Sequence, residues 1–219
     1  NNALHAFAHA DGGYHLMGCM LSAASCNKWL CEEILKTSDF SGEQADITDE
    51  KLGENHVYFL PYLMGERSPI NDTNARGTFI GMTMDTSRSD LVQAVLEGVA
   101  FAIRDSVEVA RSLGIEIHSS KICGGGAKSP LWRWIFANVL NCELEIPVSE
   151  QGPGMGGAML AMVACGEYES VKECCEKLCG VASVVKPEPE LVAKYEARYR
   201  QFRKIYPACK ELFAEFAKE

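Results

Sequence analysis

The sequence lacks an excess of positive charge, a long hydrophobic run and a signal-like start. Its 219 residues carry 21 Lys and Arg against 30 Asp and Glu, a formal net charge of −9. That charge repels a polyanionic backbone, so a nucleic-acid partner is not expected. No stretch reaches the roughly 18 apolar residues of a membrane span, and NNALHAFAHADGG lacks the regions of a signal peptide. The sequence therefore predicts a cytoplasmic protein with no membrane partner.

Cys-x-x-Cys, a spacing typical of metal and redox sites, is also absent, although the chain has ten cysteines. Free cysteine inside an apolar helical pattern behaves as a small hydrophobic residue. Six cysteines lie in such patterns: Cys26, Cys31, Cys165, Cys174, Cys175 and Cys179. We predict that they are reduced core residues.

His5 and His9 have the four-residue spacing of a helical metal site, but their surroundings favour a strand. The segment HAFAH alternates with period two and is followed by the turn former Asp11-Gly12-Gly13. A strand that enters a hairpin is therefore the favoured interpretation.

Strand-like and helix-like segments alternate along the chain, which predicts an α/β layer fold. The 47% hydrophobic content supports a substantial core. A long helix is predicted over 91–113, with Ser89 and Asp90 at its start and Gly114 at its end. Strands are predicted at 14–20, 57–64, 77–83, 121–124 and 142–148, and a mainly helical tail ends at 216. In such folds the ligand crevice lies at the C-terminal ends of strands.

The segment KICGGGAKSPLWRWIFANVL, residues 121–140, places three glycines between a strand and a helix. They permit a tight turn, or they let the backbone approach a ligand with free N–H groups directed at negative charge. The motif alone favours the turn. A phosphate-binding P-loop is rejected, because Ile122 and Ala127 stand where that motif needs glycine.

A second cluster, Gly152, Gly154 and Gly157, matches the dinucleotide-binding pattern G-x-G-x-x-G. That pattern needs a following parallel strand with an acidic end, whereas ESVKECCEKLCG is helix-like. Helix-to-sheet packing is therefore favoured over dinucleotide binding. Two glycine-opened helices after neighbouring strands would nevertheless frame a crevice suited to a nucleotide.

Several separated motifs resemble the C-terminal half of the FGGY carbohydrate kinases, and within that family the enzymes that act on xylulose. The most specific is GTFIGMTMDTSRSDLVQAVLE at 77–97. The others are HLMGCMLSAASCNKWL at 15–30, FLPYLMGERSP at 59–69 and GGGAKSPLWRWIFANVL at 124–140. The resemblance extends from about His5 to the C-terminal helices.

The resemblance implies a ribonuclease H-like lobe of the actin, Hsp70 and sugar-kinase group. Residues 1–219 would form the nucleotide-side lobe, with the N-terminal lobe absent. The implied nucleotide-binding residues are Gly81, Ser89, Gly125, Gly126, Ala127 and Ser129. Asp85 stands where glycerol kinases carry a phosphate-side glycine, and a carboxylate there would repel phosphate, so it is left out.

The implied chemistry is transfer of the ATP γ-phosphoryl group, with Mg²⁺, to a ketopentose, giving D-xylulose 5-phosphate from D-xylulose. The family's catalytic aspartate and most sugar contacts belong to the other half, so no catalytic or metal-binding residue is assigned in this chain. The chain alone is expected to be inactive. Asp72 and Glu97 could act as bases, but a solvated loop acid and a helix packing or cap partner are favoured.

Alternatives are another FGGY kinase, acting on ribulose, gluconate or glycerol, and a non-catalytic actin-like nucleotide-binding module. An oxidoreductase would instead show a strand with a terminal acid after residue 166. The full-length enzyme is also expected to be a homodimer.

Family lobes of this type start with a central hairpin, and the sequence from residue 1 resembles the part that follows it. We therefore expect strands 14–20 and 121–124 to flank an unfilled place in the sheet. Unpaired backbone groups there would cost stability.

Overall fold

The computed structural model describes residues 3–149 and 152–218 of the chain, and within them strands and helices alternate. The α/β prediction is thus confirmed. The strands found in these residues are β1 (His5–Ala8), β2 (Tyr14–Met17), β3 (Tyr58–Leu60), β4 (Thr78–Ile80), β5 (Ser119–Lys121), β6 (Glu143–Pro147) and β7 (Val181–Val185). The α-helices are α1 (Ala24–Trp29), α2 (Phe40–Gln44), α3 (Arg88–Ser112), α4 (Pro130–Leu140), α5 (Gly152–Ala164), α6 (Val171–Leu178) and α7 (Pro189–Phe216).

Short helical segments of other types complete the sequence of secondary-structure elements. A π-helical turn (Leu30–Ile34) continues α1, and 3₁₀ turns occupy Asp49–Lys51 and Gly125–Lys128. The last of these connects β5 to α4, so the three glycines do lie between a strand and a helix.

The strands form three small sheets. β1 pairs antiparallel with β2, and β3 pairs antiparallel with β4. β5 pairs parallel with β6, whose other edge pairs antiparallel with β7. The predicted hairpin at His5 is confirmed, because the amide of Gly12 donates to the carbonyl of His9 at 3.0 Å and closes the turn.

Helix α3 is the centre of the core. Its residues Val92 to Ala102 are buried, and it packs against β3 and α4. Gly98 permits the contact with β3, because a Cβ atom there would lie 2.2 Å from the carbonyl oxygen of Phe59. Helix α7 covers the same core, with the Phe202 ring 5.3 Å from that of Phe101.

The start of α3 differs from the prediction. Ser87, and not Ser89, caps the helix: its hydroxyl accepts from the amide of Asp90 at 3.2 Å. The Asp90 carboxylate in turn accepts from the amide of Ser87 at 2.8 Å, which completes a capping box. The end is as predicted, since Gly114 takes a φ of +83°.

β7 was not predicted, and it excludes the oxidoreductase alternative. The strand follows residue 166, but it runs antiparallel to β6 and ends at Val185, which is followed by Lys186. The dinucleotide fingerprint needs a parallel strand with an acidic end. The glycines at 152, 154 and 157 therefore open an ordinary helix, α5.

Strands β2 and β5 do not pair with each other in the described part of the chain. β5 therefore lies at the edge of its sheet, and all three of its residues are exposed. The four residues of β2 are exposed as well. The expected unfilled place between the two strands stays a prediction.

The cysteines are less uniform than predicted. Each of the ten, all within the described residues, is a free thiol, and Cys26, Cys31 and Cys174 are buried as expected. Cys165 and Cys179 are exposed and Cys175 is half-buried, so these three are not core residues. They lie on or beside α5 and α6, which are helical but largely exposed.

Candidate functional site

The glycine loop between β5 and α4 adopts a conformation that requires glycine at its first position. Gly124 has φ 92° and ψ −178°, a combination that residues with a Cβ atom avoid. The chain then forms a 3₁₀ turn, in which the amide of Ala127 donates to the carbonyl of Gly124 at 3.1 Å. The turn interpretation is therefore correct for Gly124.

Gly125 and Gly126 lie at the edge of a cleft of about 540 Å³. Within the described residues, no hydrogen bond from the amides of Gly125 and Gly126 is found. A Cβ atom at Gly125 would meet nothing within 4 Å. The loop thus borders open space and carries free donors, as expected of a backbone that approaches a ligand.

Gly126 has a different reason to be glycine. A Cβ atom there would lie 2.9 Å from Cζ3 of Trp132 and 3.5 Å from Cβ of Ala24. Trp132 is itself fixed, because its indole N–H donates to the carbonyl of Leu96 at 2.9 Å. A side chain at 126 would therefore disturb helix packing in addition to filling the cleft.

The wall opposite the glycines comes from α1 and α2. Phe40, Ser41 and Gln44 line the cleft from α2, and Ala24 and Lys28 line it from α1. The Ser129 hydroxyl donates to Oε1 of Gln44 at 2.6 Å across the cleft and accepts from the amide of Trp132 at 3.0 Å. Ser129 therefore both caps α4 and ties the glycine loop to the opposite wall.

A second cavity of about 280 Å³ adjoins the first at Gly125 and Gly126. Ala127 lines it and is only 6% exposed. Its other walls are largely apolar, with Ile103, Ile122 and Phe136 among them. The structure thus brings Gly125, Gly126, Ala127 and Ser129 together.

Gly81 and Ser89 are not among the described residues that line either cavity. Gly81 follows β4 with φ 92°, and a Cβ atom there would lie 2.4 Å from the carbonyl oxygen of His56, so close packing explains the glycine. Ser89 lies on the first turn of α3, with its hydroxyl 3.0 Å from that of Ser87.

Helix α2 connects that first turn of α3 to the cleft. Arg88 donates to both carboxylate oxygens of Glu43, at 2.5 and 2.6 Å, and the pair lowers the pKa of Glu43. Gln44, the next residue, lines the cleft. Ser89, the neighbour of Arg88, is therefore linked to the cleft through helix α2.

The sequence interpretation missed α2 as a wall of the cleft. The polar stretch TSDFSGEQADITDEKLGENH, residues 37–56, reads from the sequence as a loop with one short helix at most. A signal was present, because Asp39 is a good N-cap residue and its carboxylate accepts from the amide of Gly42 at 2.9 Å. The contact with Ser129, 85 residues later, has no local signal.

The two acids considered as bases have structural partners instead. Glu97 is 1% exposed and accepts from Gln93, Tyr195 and Arg198 at 2.8, 3.1 and 3.1 Å. Burial raises the pKa of Glu97, and the Arg198 guanidinium opposes that shift. Asp72 accepts from the Tyr206 hydroxyl at 2.7 Å, and such bonds lower its pKa despite partial burial. Neither lines the cleft.

A divalent cation has no ready-made site here. No Asp or Glu is among the described residues that line the cleft. Across residues 3–149 and 152–218, no group of three or more His, Cys, Asp and Glu side chains could hold a metal ion. The residues present therefore do not fit a protein-held Mg²⁺.

A cleft edged by glycine amides, at the end of a strand that leads into a helix, is a feature of α/β domains that bind small molecules. The chain belongs to the FGGY family of carbohydrate kinases: residues 3–165 match the family's C-terminal domain. The family resemblance seen in the motifs is thereby confirmed.

Individual relatives extend the match over nearly the whole chain. The xylulose kinase of Staphylococcus epidermidis is 34% identical over 213 residues, which cover 97% of this chain and 43% of the relative. The structure described as a xyloylose kinase from Brucella ovis is 36% identical, with a TM-score of 0.87, over 96% of this chain and 43% of that one. A Plasmodium falciparum glycerol kinase with ADP matches at 26% identity and a TM-score of 0.73, over 87% of this chain and 38% of that one.

The chain therefore spans less than half the length of the curated relatives it matches. No helix in the described ranges is long and apolar enough to cross a membrane.

Proposed function

We propose that this chain is the nucleotide-binding side of an ATP-dependent sugar kinase, which phosphorylates D-xylulose in the intact protein. The observation that carries the proposal is the cleft bordered by the free amides of Gly125 and Gly126. Family membership supports the reaction class, and the xylulose kinase relatives support the substrate.

The lining of the cleft suits a nucleotide. Its volume of about 540 Å³ lies within the range of small-molecule sites, which is about 300–1,000 Å³. Phe40 and Trp132 offer aromatic surface to a base, and Gln44 and Ser129 offer hydrogen-bonding groups. The amides of Gly125 and Gly126 and the ammonium of Lys28 favour negative charge.

In the proposed reaction this chain binds and orients the nucleotide, because phosphoryl transfer rests mainly on positioning and electrostatics. Mg²⁺ would be carried by the ATP phosphates, since the cleft offers no carboxylate. The group that accepts the sugar proton would come from outside this chain. Gly81, Ser89 and Ala127 remain proposed nucleotide contacts.

We further propose that this lobe is ribonuclease H-like. The mixed order of strands and helices and the TM-score of 0.87 with a kinase structure support that fold. A homodimeric assembly and a cytoplasmic location are likewise proposals for the intact protein.

The substrate alternatives are ribulose, gluconate and glycerol, and a non-catalytic nucleotide-binding module is the alternative of another class. Assays of the intact protein with xylulose, ribulose, gluconate and glycerol separate these alternatives. We expect xylulose to give the highest rate of ADP release. A higher rate with another of these compounds would identify that compound as the substrate. A rate of ADP release that depends on none of them would favour the non-catalytic module.

The cleft itself is tested by the substitution Gly125→Val in the intact protein. Since the added side chain meets no protein atom at its Cβ, the fold should persist while the cleft fills. We expect calorimetry to show ADP affinity reduced about tenfold or more, or about 1.4 kcal/mol. Ala45→Val, at the exposed end of α2, adds similar bulk outside the cleft lining and serves as the control. Unchanged ADP affinity of a folded Gly125→Val protein would contradict the proposal.

A further inference from the structure

A further cavity, of about 400 Å³, has three cysteines in its lining. Cys123, Cys175 and Cys179 all line it, together with Lys121 and Met155. Cys123 and Cys179 are exposed and Cys175 is half-buried. This cavity shares neither Gly125 nor Gly126 with the nucleotide cleft.

Cys175 and Cys179 are in direct contact. They lie four residues apart at the end of α6, where the amide of Cys179 donates to the carbonyl of Cys175 at 2.9 Å. Both residues also line the cavity. Cys179 is the C-cap of the helix and has already left helical geometry, with ψ +59°.

We propose that Cys175 and Cys179 form a reversible dithiol–disulfide couple, which a low-molecular-weight disulfide entering this cavity oxidises. Residues four apart on a helix have Cβ atoms about 5–6 Å apart, and a disulfide needs about 3.5–4.5 Å. Closure therefore requires the two Cβ atoms to approach by about 0.5–2.5 Å. The non-helical end at Cys179 allows this movement, and residual strain makes the bond easy to reduce again.

The order of reaction follows from exposure and charge. Cys179 is the more accessible thiol, and Lys121 lines the same cavity. Its thiolate attacks one sulfur of the small disulfide, whose S–S bond breaks and releases one thiolate. The Cys175 thiolate then attacks Sγ of Cys179 and releases the second. Two electrons pass from the protein to the reagent, and the two thiol protons end on the two released small thiols.

The remaining cysteines do not combine a place in the cavity lining with a second thiol four residues away. Cys26, Cys31 and Cys142 are buried and do not line the cavity, so a small disulfide in the cavity does not reach them. Cys165 is exposed but does not line the cavity. It therefore provides a matched control for accessibility without a neighbouring thiol.

The test is oxidation of the reduced full chain with oxidised glutathione, followed by alkylation, trypsin digestion and mass spectrometry. Cleavage after Lys177 separates the two cysteines, so the disulfide joins peptide 173–177 to peptide 178–194. We expect this linked pair as the main intramolecular product, and we expect dithiothreitol to reverse it. Cys174 shares the first peptide, and Cys174→Ala should leave the linkage in place.

Single substitutions test the order of reaction. Cys175→Ser should accumulate the glutathione adduct on Cys179, because no second thiol resolves it. Cys179→Ser should lose the linkage and show little adduct on Cys175. Cys165→Ser should behave as the unsubstituted chain.

Phenylarsine oxide, which needs two neighbouring thiols, gives an independent measurement without oxidation. The chain should bind it, and the double variant Cys175→Ser/Cys179→Ser should lose that binding while remaining folded by circular dichroism. Binding that survives in the double variant would overturn the proposal. Linkage of Cys179 to Cys123, or adducts spread equally over Cys165 and Cys209, would overturn it as well.

Discussion

Ser87 carries out at the start of α3 the role that its neighbour Ser89 was expected to fill. Its hydroxyl accepts from the amide of Asp90, and the Asp90 carboxylate accepts from the amide and hydroxyl of Ser87 at 2.8 and 2.6 Å. Partial burial acts against ionisation of Asp90, but these bonds prevail and lower its pKa. Two orphan amides of a long core helix are satisfied by one pair of residues.

Ser87→Ala should therefore lower the free energy of unfolding by about 1 kcal/mol. Ser89→Ala, two residues away, should change it by less than about 0.5 kcal/mol. Urea denaturation measures both. Because the pKa of Asp90 is lowered in the folded state, its contribution is present above the ordinary aspartate pKa and is lost as the pH falls through the folded value. The difference in the free energy of unfolding between Ser87→Ala and the unsubstituted chain should therefore become smaller in acid. Equal effects of Ser87→Ala and Ser89→Ala at neutral pH would refute the assignment of Ser87 as the N-cap.

At the scale of elements, the approach of α3 to β3 is limited by backbone atoms. Gly98 faces the carbonyl of Phe59 so closely that even a methyl group would contact it at 2.2 Å. A backbone oxygen cannot rotate away as a side chain can. The helix or the strand would have to shift, and the contacts of Val95 and Val99 in the core would shift with it.

Gly98→Ala should therefore destabilise the chain by about 1–3 kcal/mol, the usual cost of overpacking. Helix propensity alone predicts the opposite sign, since alanine is favoured over glycine by about 1 kcal/mol. Gly154→Ala in α5 is the control, because its added Cβ would meet nothing within 4 Å. Thermal or urea unfolding should show that Gly154→Ala stabilises the chain and that Gly98→Ala destabilises it. If both substitutions stabilise the chain, α3 and β3 pack less closely than the structure shows.

The sequence predicted those elements whose signals are local. The apolar spacing of α3 and the glycine after it located the helix at 91–113, close to the observed Arg88–Ser112. The alternation in HAFAH with the turn at Asp11 located the first hairpin. β5 was displaced from the predicted 121–124 because its residues, Ser119–Lys121, are polar and exposed and lack a strand pattern.

The site could be predicted only in part. The glycine loop was found because glycines between a strand and a helix are a local signal, and the family resemblance assigned it to a nucleotide. The opposite wall was not found, because Gln44 reaches Ser129 from a distant part of the chain. The cysteine pair was assigned to the core because its apolar helical pattern resembles that of a buried helix, whereas α6 is largely exposed.

At the scale of the whole molecule, two surfaces lack a covering. Helix α5 contains no charged residue, and within its described range 152–164 only Met159 is buried. A helix that is apolar all round is usually buried. The exposed edge of β5 belongs to the same sheet that α5 follows, and such an edge is prone to pair with another chain.

The isolated 219-residue chain should therefore be prone to aggregate and should show no xylulose-dependent release of ADP. Nucleotide positioning without the sugar-side groups leaves too little transition-state stabilisation. Light scattering and a coupled ADP assay measure the two properties, with the intact protein as the control. Sugar-dependent turnover by the isolated chain would contradict the division of roles between its cleft and the rest of the protein.

Hydrogen–deuterium exchange of the intact protein, with and without ADP, tests most directly that this cleft binds the nucleotide. Free amides bordering the cleft should exchange more slowly once the ligand covers them. We predict ADP-dependent protection of peptides that contain Gly125 and Gly126 and of the α2 segment Phe40–Gln44, with little change at the exposed end of α7. Protection elsewhere, with these two segments unchanged, would contradict the account.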